Sequence, residues 1–241
     1  MKPREHAPDM LVADIGLGFE PIVCLSSALT HGARAVPRYR DAGPTAASAT
    51  PAATEDRVTA TVLGLVAATM ASAGPPAYVV VDLPARAWNG TLVEMTERTL
   101  GRHGVAATAV GFTLSADDAV HDAPTAAAVV VELQDLGCRV GLAGVGGGFG
   151  SIRLLSVLPV DFARIDPTLV ANMLEHPDAL SQVTGVLRLA AEAGVTTTAV
   201  GVDTYEHSAW LRDLGCGFGT GAFFGHASDW LVLPTSHECG P

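Results

Sequence analysis

"RVGLAGVGGGFGSIRLLSVLPVDFARID" runs from Arg139 to Asp166, with glycine at 144, 146, 147, 148 and 150. Glycines take positive φ and let the backbone approach a ligand closely, so a phosphate cradle is the first reading to test. A dinucleotide loop needs Gly-x-Gly-x-x-Gly between a strand and a helix. Counted from Gly144 and Gly146, the third position is Phe149; counted from Gly146 and Gly148, it is Ser151. No lysine follows the glycines, which removes a Walker-type loop as well. What remains is an apolar strand, a glycine turn and a second strand.

Working outward, short apolar runs alternate with segments of helical period, the pattern of a mainly parallel sheet with crossover helices. Seven strands are read at "FEPIVCL", "AYVVVDL", "AVGFTL", "CRVGLAG", "FARID", "TTTAVGV" and "GFGTG". Between them, helices are read at "EDRVTATVLGLVAATMAS", "TLVEMTERTLGRHG", "APTAAAVVVELQDLG", "PDALSQVTGVLRLAAEAG" and "TYEHSAWLRDLG". Three end at Gly104, Gly137 and Gly194, where a left-handed cap precedes the next strand. Asp41–Asp56, rich in Ala, Thr and Pro, has no apolar period and reads as a loop inside one domain.

With 241 residues, 49% of them hydrophobic, the chain can bury a sizeable core. A formal charge of -11 with only 14 Lys and Arg argues against nucleic acid as a partner. No apolar run reaches the roughly 18 to 20 residues of a membrane span. The N-terminus lacks a signal-peptide core, so the expected compartment is the cytoplasm. Cys24, Cys138, Cys216 and Cys239 show neither a disulfide framework nor a zinc pair and read as reduced thiols. His237, Glu238 and Cys239 sit together in a terminal tail, a poor place to fix a metal.

The glycine stretch leads into "LPVDFARID", and near the C-terminus stands "GVDTYEHSAWLRDLGCGFGTGAFFG". At these residues the chain resembles the EAL family, whose barrel domain hydrolyses the bacterial messenger cyclic di-GMP. That family's patterns run "LPVD.LKID" and "GVET.EQ...L..LGCD..QGY.F". "FEPIVCLSSALTHGARAVPRY" and "VVVDLPARAW" are similar to its "YQPIVDL...G.EALLRW" and "VNVSARQL" segments. The resemblance implies a single α/β barrel of (βα)8, TIM-like type over residues 15–230. A flexible N-terminal segment, 1–14, and a C-terminal tail, 231–241, flank it.

The family's hydrolysis uses divalent cations held by carboxylates, which activate a water and neutralise phosphoryl oxygens. Carried over residue by residue, the resemblance puts Arg34 at the glutamate that names the family. Gly111 stands at the next glutamate, Ala143 and Gly144 at an Asp-Asp pair, and Val200 at a further glutamate. Asp82 replaces an asparagine ligand, Arg164 a lysine, Asp203 a glutamate and Thr220 a glutamine. A guanidinium at a metal position opposes the metal directly: two unit charges about 4 Å apart repel by about 4 kcal/mol at an effective dielectric of 20. The expectation is no metal, no cofactor and no catalytic residue, with Arg34 paired to Asp82.

Arg34, Arg38 and Arg164 are expected at the C-terminal mouth, either as an anion pocket or as a salt-bridge set using Asp82, Asp166 and Asp203. Candidate ligand-binding residues are Arg38, Asp82, Arg164, Asp203 and Thr220. Glu20 and Ala227 stand where ligand-contacting types are expected. Asp117 and Asp118 read as the start of a helix, where carboxylates suit the dipole, and His207 as solvated. Phe223, Phe224 and Trp230 read as an aromatic seal of the barrel or of a subunit interface, leaving a homodimer open. The resemblance implies an inactive signalling domain that acts by binding, through a protein partner in the first reading. The alternative is a non-hydrolysing receptor for cyclic di-GMP or another phosphorylated nucleotide, and the third a residual metal-dependent phosphodiesterase.

Overall fold

The computed structural model describes residues 15–39, 52–73, 78–148 and 150–229. The segments 1–14 and 231–241, Trp230 and most of the 41–56 loop lie outside the described residues. Eight strands form a closed barrel in sequence order: β1 (Ile15–Cys24), β2 (Thr30–Tyr39), β3 (Val79–Leu83), β4 (Val110–Ser115), β5 (Arg139–Val145), β6 (Phe162–Ile165), β7 (Thr196–Val200) and β8 (Phe218–Thr220). β1 runs antiparallel to both β2 and β8, and the remaining neighbours are parallel. The longer helices outside are α1 (Ala52–Ala73), α2 (Gly90–His103), α4 (Ala123–Asp135), α6 (Pro177–Glu192) and α7 (Tyr205–Asp213). Two short ones, α3 (Ala116–His121) and α5 (Pro167–Asn172), begin directly after β4 and β6.

β2 is missing from the seven strands read in the sequence. His31, Arg34, Pro37 and Arg38 interrupt any apolar run there. The strand is held instead by a long antiparallel ladder to β1, from Ile15 opposite Tyr39 to Val23 opposite Thr30. The reading of Asp41–Asp56 as loop is also corrected at its end, because α1 already begins at Ala52. Cys24 is disulfide-bonded rather than a reduced thiol, while Cys138 and Cys216 are free and buried. Cysteines distant in sequence meet only through the fold, so spacing alone could not reveal this.

Strand alternation divides the interior in two. Val79, Val81, Phe112, Leu114, Val140, Leu142, Ala163 and Ile165 belong to one large buried cluster with the apolar faces of the helices. Inside the barrel, Ile22, Val80 and Phe162 form a small second cluster against Tyr78 and Phe218. Asn89, Ser115, Asp122, Asp166 and Thr204 cap the helices that follow them by accepting from backbone N–H groups. Asp117 and Asp118 lie in the first turn of α3, as their sequence context predicts. Gly104, Gly137 and Gly194 have positive φ at the expected helix ends.

Gly141 makes room for the barrel's interior ring. A Cβ there would lie 2.5 Å from both the Phe162 ring and its backbone oxygen. Backbone cannot give way cheaply, so Gly141→Ala should destabilise by about 1–3 kcal/mol in denaturant unfolding. Gly185, inside α6 with nothing within 4 Å of its Cβ position, is the opposite case. Gly185→Ala should stabilise by about 0.5–1 kcal/mol.

Candidate functional site

The three strands that open the barrel deliver one charged cluster to its C-terminal end. Glu20 on β1 lies opposite Arg34 on β2, and Asp82 is the penultimate residue of β3. Arg34 donates through Nε to Glu20 Oε2 and through Nη1 to Asp82 Oδ2, both at 2.9 Å. Arg164 on β6 donates through Nη1 to the other Asp82 oxygen, Oδ1, at 2.6 Å. The Thr113 hydroxyl on β4 donates to that same oxygen. One carboxylate therefore ties four strands together.

Burial opposes the charges of Asp82, Arg34 and Arg164, and the partners decide the balance. Asp82 loses hydration, yet Arg164, Arg34 and the Thr113 hydrogen bond outweigh that and hold its carboxyl below the usual carboxylate range. Arg34 is likewise desolvated, but Asp82 and Glu20 raise its pKa above the ordinary guanidinium value. For Arg164, burial together with the like charge of Arg34 outweighs the attraction of Asp82, and its pKa falls. The two guanidiniums of the cluster are balanced by two carboxylates, Glu20 and Asp82.

The Arg34–Asp82 pair expected from the sequence is present, and Glu20, read there only as an unfavourable contact residue, completes it. Asp166 and Asp203 do not join. Asp166 accepts from Thr168 N at the start of α5, and Asp203 Oδ1 accepts from Ala222 N at 3.0 Å, fixing the turn after β8. Arg38 lies apart, donating to Asp229 and to the Ala227 carbonyl at 2.5 Å. Val200 pairs with Thr220, whose side chain is buried.

The glycine loop does not cradle an anion. A Cβ on Gly147 would meet the Asp166 carboxylate at 2.3 Å, and one on Gly148 would meet Asp117 Oδ1 at 2.2 Å. Glycine lets the loop thread between two acidic side chains that a Cβ would have to push aside. Ser151 fixes it, accepting from Gly146 N at 3.0 Å and donating to Gly148 O at 2.9 Å.

These residues do not fit a divalent cation. Mg²⁺ needs several oxygen ligands in near-octahedral geometry, and both carboxylates of the cluster already bind guanidinium groups. Among the described residues no group of three or more His, Cys, Asp or Glu side chains could hold a metal. Nor would introducing carboxylates at 111 or 144 be a simple exchange. A Cβ at 111 would lie 2.2 Å from Tyr78 Oη, and Gly144 has φ +78°, which strains other L residues.

Asp82→Asn keeps the shape and removes the shared charge. Breaking a fully buried pair costs about 3–5 kcal/mol. Asp82 is 42% exposed, so solvent screening brings the expected loss to about 1–3 kcal/mol in chemical denaturation. Because the folded carboxyl titrates below its unfolded value, its contribution is complete above about pH 3.9 and is lost as pH falls through the lower folded value. The acid limb of the wild-type stability profile should be correspondingly steeper than that of Asp82→Asn.

Fold comparison places the barrel beside a standalone EAL protein of Vibrio cholerae solved with c-di-GMP, with a TM-score of 0.82 at 18% identity over 92% of this chain and 96% of that one. The EAL domain of Mycobacterium smegmatis DcpA gives 0.77 at 21% identity, covering 89% and 93%. In sequence, the Mycobacterium tuberculosis protein Rv1354c is 31% identical over 127 residues, 53% of this chain and 20% of its own length. The Pseudomonas aeruginosa cyclic di-GMP phosphodiesterase RocR is 28% identical over 95 residues, 39% of this chain and 24% of that one. The chain thus matches only about a fifth to a quarter of the length of these two relatives. Among the described residues no helix is long and apolar enough to cross a membrane. The sequence profile of the EAL domain matches residues 9–227, and with the barrel it establishes that the chain belongs to the EAL domain family.

Proposed function

We propose that this barrel is a non-hydrolysing member of its family that binds a cyclic dinucleotide, cyclic di-GMP in the first instance, at the C-terminal mouth. The observation that carries the reading is Arg34, anchored by Glu20 and Asp82 with one terminal nitrogen, Nη2, making no hydrogen bond among the described residues. A guanidinium so held is a preorganised donor for a phosphate oxygen, a charge-assisted contact needing no metal. Fold relatives support the ligand class: the MucR phosphodiesterase of Pseudomonas aeruginosa, with a TM-score of 0.80 at 20% identity over 90% of this chain and 92% of that one, was solved as a c-di-GMP complex. Hydrolysis is disfavoured by the same cluster, since the carboxylates that would hold metal and activate water are engaged by arginine.

The protein-partner reading remains as a second proposal, favoured by the aromatic surface on and beside α7. Tyr205 is 70% exposed, Trp210 45% and Phe223 44%. Tyr205 and Phe223 meet edge-on at 6.2 Å, and Phe223 packs against Phe224. Such patches are enriched in protein interfaces.

Calorimetry with cyclic di-GMP in EDTA distinguishes the two. The expected result is metal-independent binding that Arg34→Ala weakens at least tenfold, with no linear dinucleotide formed on adding Mg²⁺ or Mn²⁺. Absence of heat at high micromolar ligand would leave the partner reading in its place, and turnover with metal would overturn both.

A further inference from the structure

The strand ends leave an aromatic pair on the rim of the barrel's mouth, outside the charged cluster. Tyr205 opens α7, just past the C-terminal end of β7, and Phe223 stands in the turn after β8. Their rings meet edge-on at 6.2 Å, and Phe223 is braced a second time, edge-on against Phe224 at 5.1 Å. The backbone fixes both. Thr204 caps α7 immediately before Tyr205, and Phe223 N donates to Val202 O at 3.1 Å. Two large rings are thus held in place and left exposed to solvent.

A carboxylate stands beside them. Asp203 Oδ1 accepts from Ala222 N, the residue before Phe223, while its other oxygen, Oδ2, makes no hydrogen bond among the described residues. Glu206 follows Tyr205 in the first turn of α7 and is exposed as well. No Lys or Arg occurs from Val200 to Trp210 or from Phe218 to Asp229. Arg38, which does reach this side of the mouth, is engaged by Asp229 and the Ala227 carbonyl. This part of the rim therefore offers ring faces and acceptors.

That chemistry suits a base and repels a phosphate. Aromatic side chains stack on any base, but a carboxylate accepts only from an edge that carries donors. Guanine presents N1–H and its 2-amino group side by side, which one carboxylate can accept. Adenine has an acceptor at N1, and a carboxylate repels it. Two rings offer about the face of one purine, and far less than the roughly 800 Å² per partner of a stable protein interface. Position agrees with this. Only β1 separates β8 from β2, so Phe223 and Arg34 stand two strand spacings apart along the barrel wall, about 10 Å. A nucleotide whose phosphate meets Arg34 reaches that far with its base.

We propose that Tyr205 and Phe223 form a stacking platform for one guanine base of a cyclic dinucleotide, with Asp203 accepting from the donor edge of that base. Arg34 then takes a phosphate and the rim chooses the base, an assignment that rests on the dinucleotide reading above. Trp210, further along α7, takes no part in it.

The test titrates the whole chain in EDTA with cyclic di-GMP and, separately, with cyclic di-AMP. Wild type should prefer cyclic di-GMP by at least about tenfold, the worth of hydrogen bonds to a charged acceptor. Tyr205→Ala should weaken cyclic di-GMP binding about five- to fiftyfold, the loss of one stacked base, whereas Tyr205→Phe keeps the ring and should stay within about twofold. Asp203→Asn retains an oxygen for Ala222 N, so the turn survives while discrimination between the two dinucleotides is lost. Melting curves check that each variant is folded. Equal affinity of wild type for the two ligands, or a Tyr205→Ala variant that binds like wild type, would overturn the platform alone and return the aromatic pair to the protein-partner reading. No heat with either dinucleotide would remove the platform and the dinucleotide reading together.

Discussion

The carboxylate of Asp82 is the joint on which this barrel's functional end is built. It receives Arg34 on one oxygen and Arg164 and Thr113 on the other, drawing residues from β2, β4 and β6 onto β3. Opposite charges this near are useful only when their geometry is fixed, because desolvation otherwise cancels the attraction. The antiparallel ladder between β1 and β2 supplies that geometry by setting Glu20 across from Arg34. Removing any one member changes the charge balance of the others.

The fold was legible where chemistry repeats along the chain. Apolar strands alternating with segments of helical period, together with "LPVDFARID", point to a barrel, and the helix-ending glycines and the Asp117–Asp118 helix start fall where the sequence puts them. β2 escaped notice because it is stabilised by ladder hydrogen bonds and polar pairing more than by an apolar run. Period-based reading detects burial, and β2 carries little of that signal.

The site was legible in part. The partnership of Arg34 with Asp82 follows from opposite charges at positions that the resemblance brings to one end of the barrel, since a partly buried cation needs an acid. Glu20 was the missed member, although its signal was present: a carboxylate stands in "FEPIV" where glutamine is usual, fourteen residues before the arginine. Reading it requires the hairpin register, which sequence spacing alone does not fix. Asp166 and Asp203 carried the reverse error, being acids at the right end of the barrel whose oxygens serve backbone N–H groups. Sequence locates a charge, but only the fold says whether its lone pairs are already taken.

The tyrosine at position 78 limits what the neighbouring strand can carry. Its hydroxyl reaches into the space that any side chain at residue 111 would need, and Arg34 stands on the neighbouring strand. An acidic side chain introduced at 111 therefore meets Tyr78 before it can reach into the barrel. Packing at 111 and paired charge at Asp82 thus act together, so that installing a metal site in this barrel would require changes at more than one position.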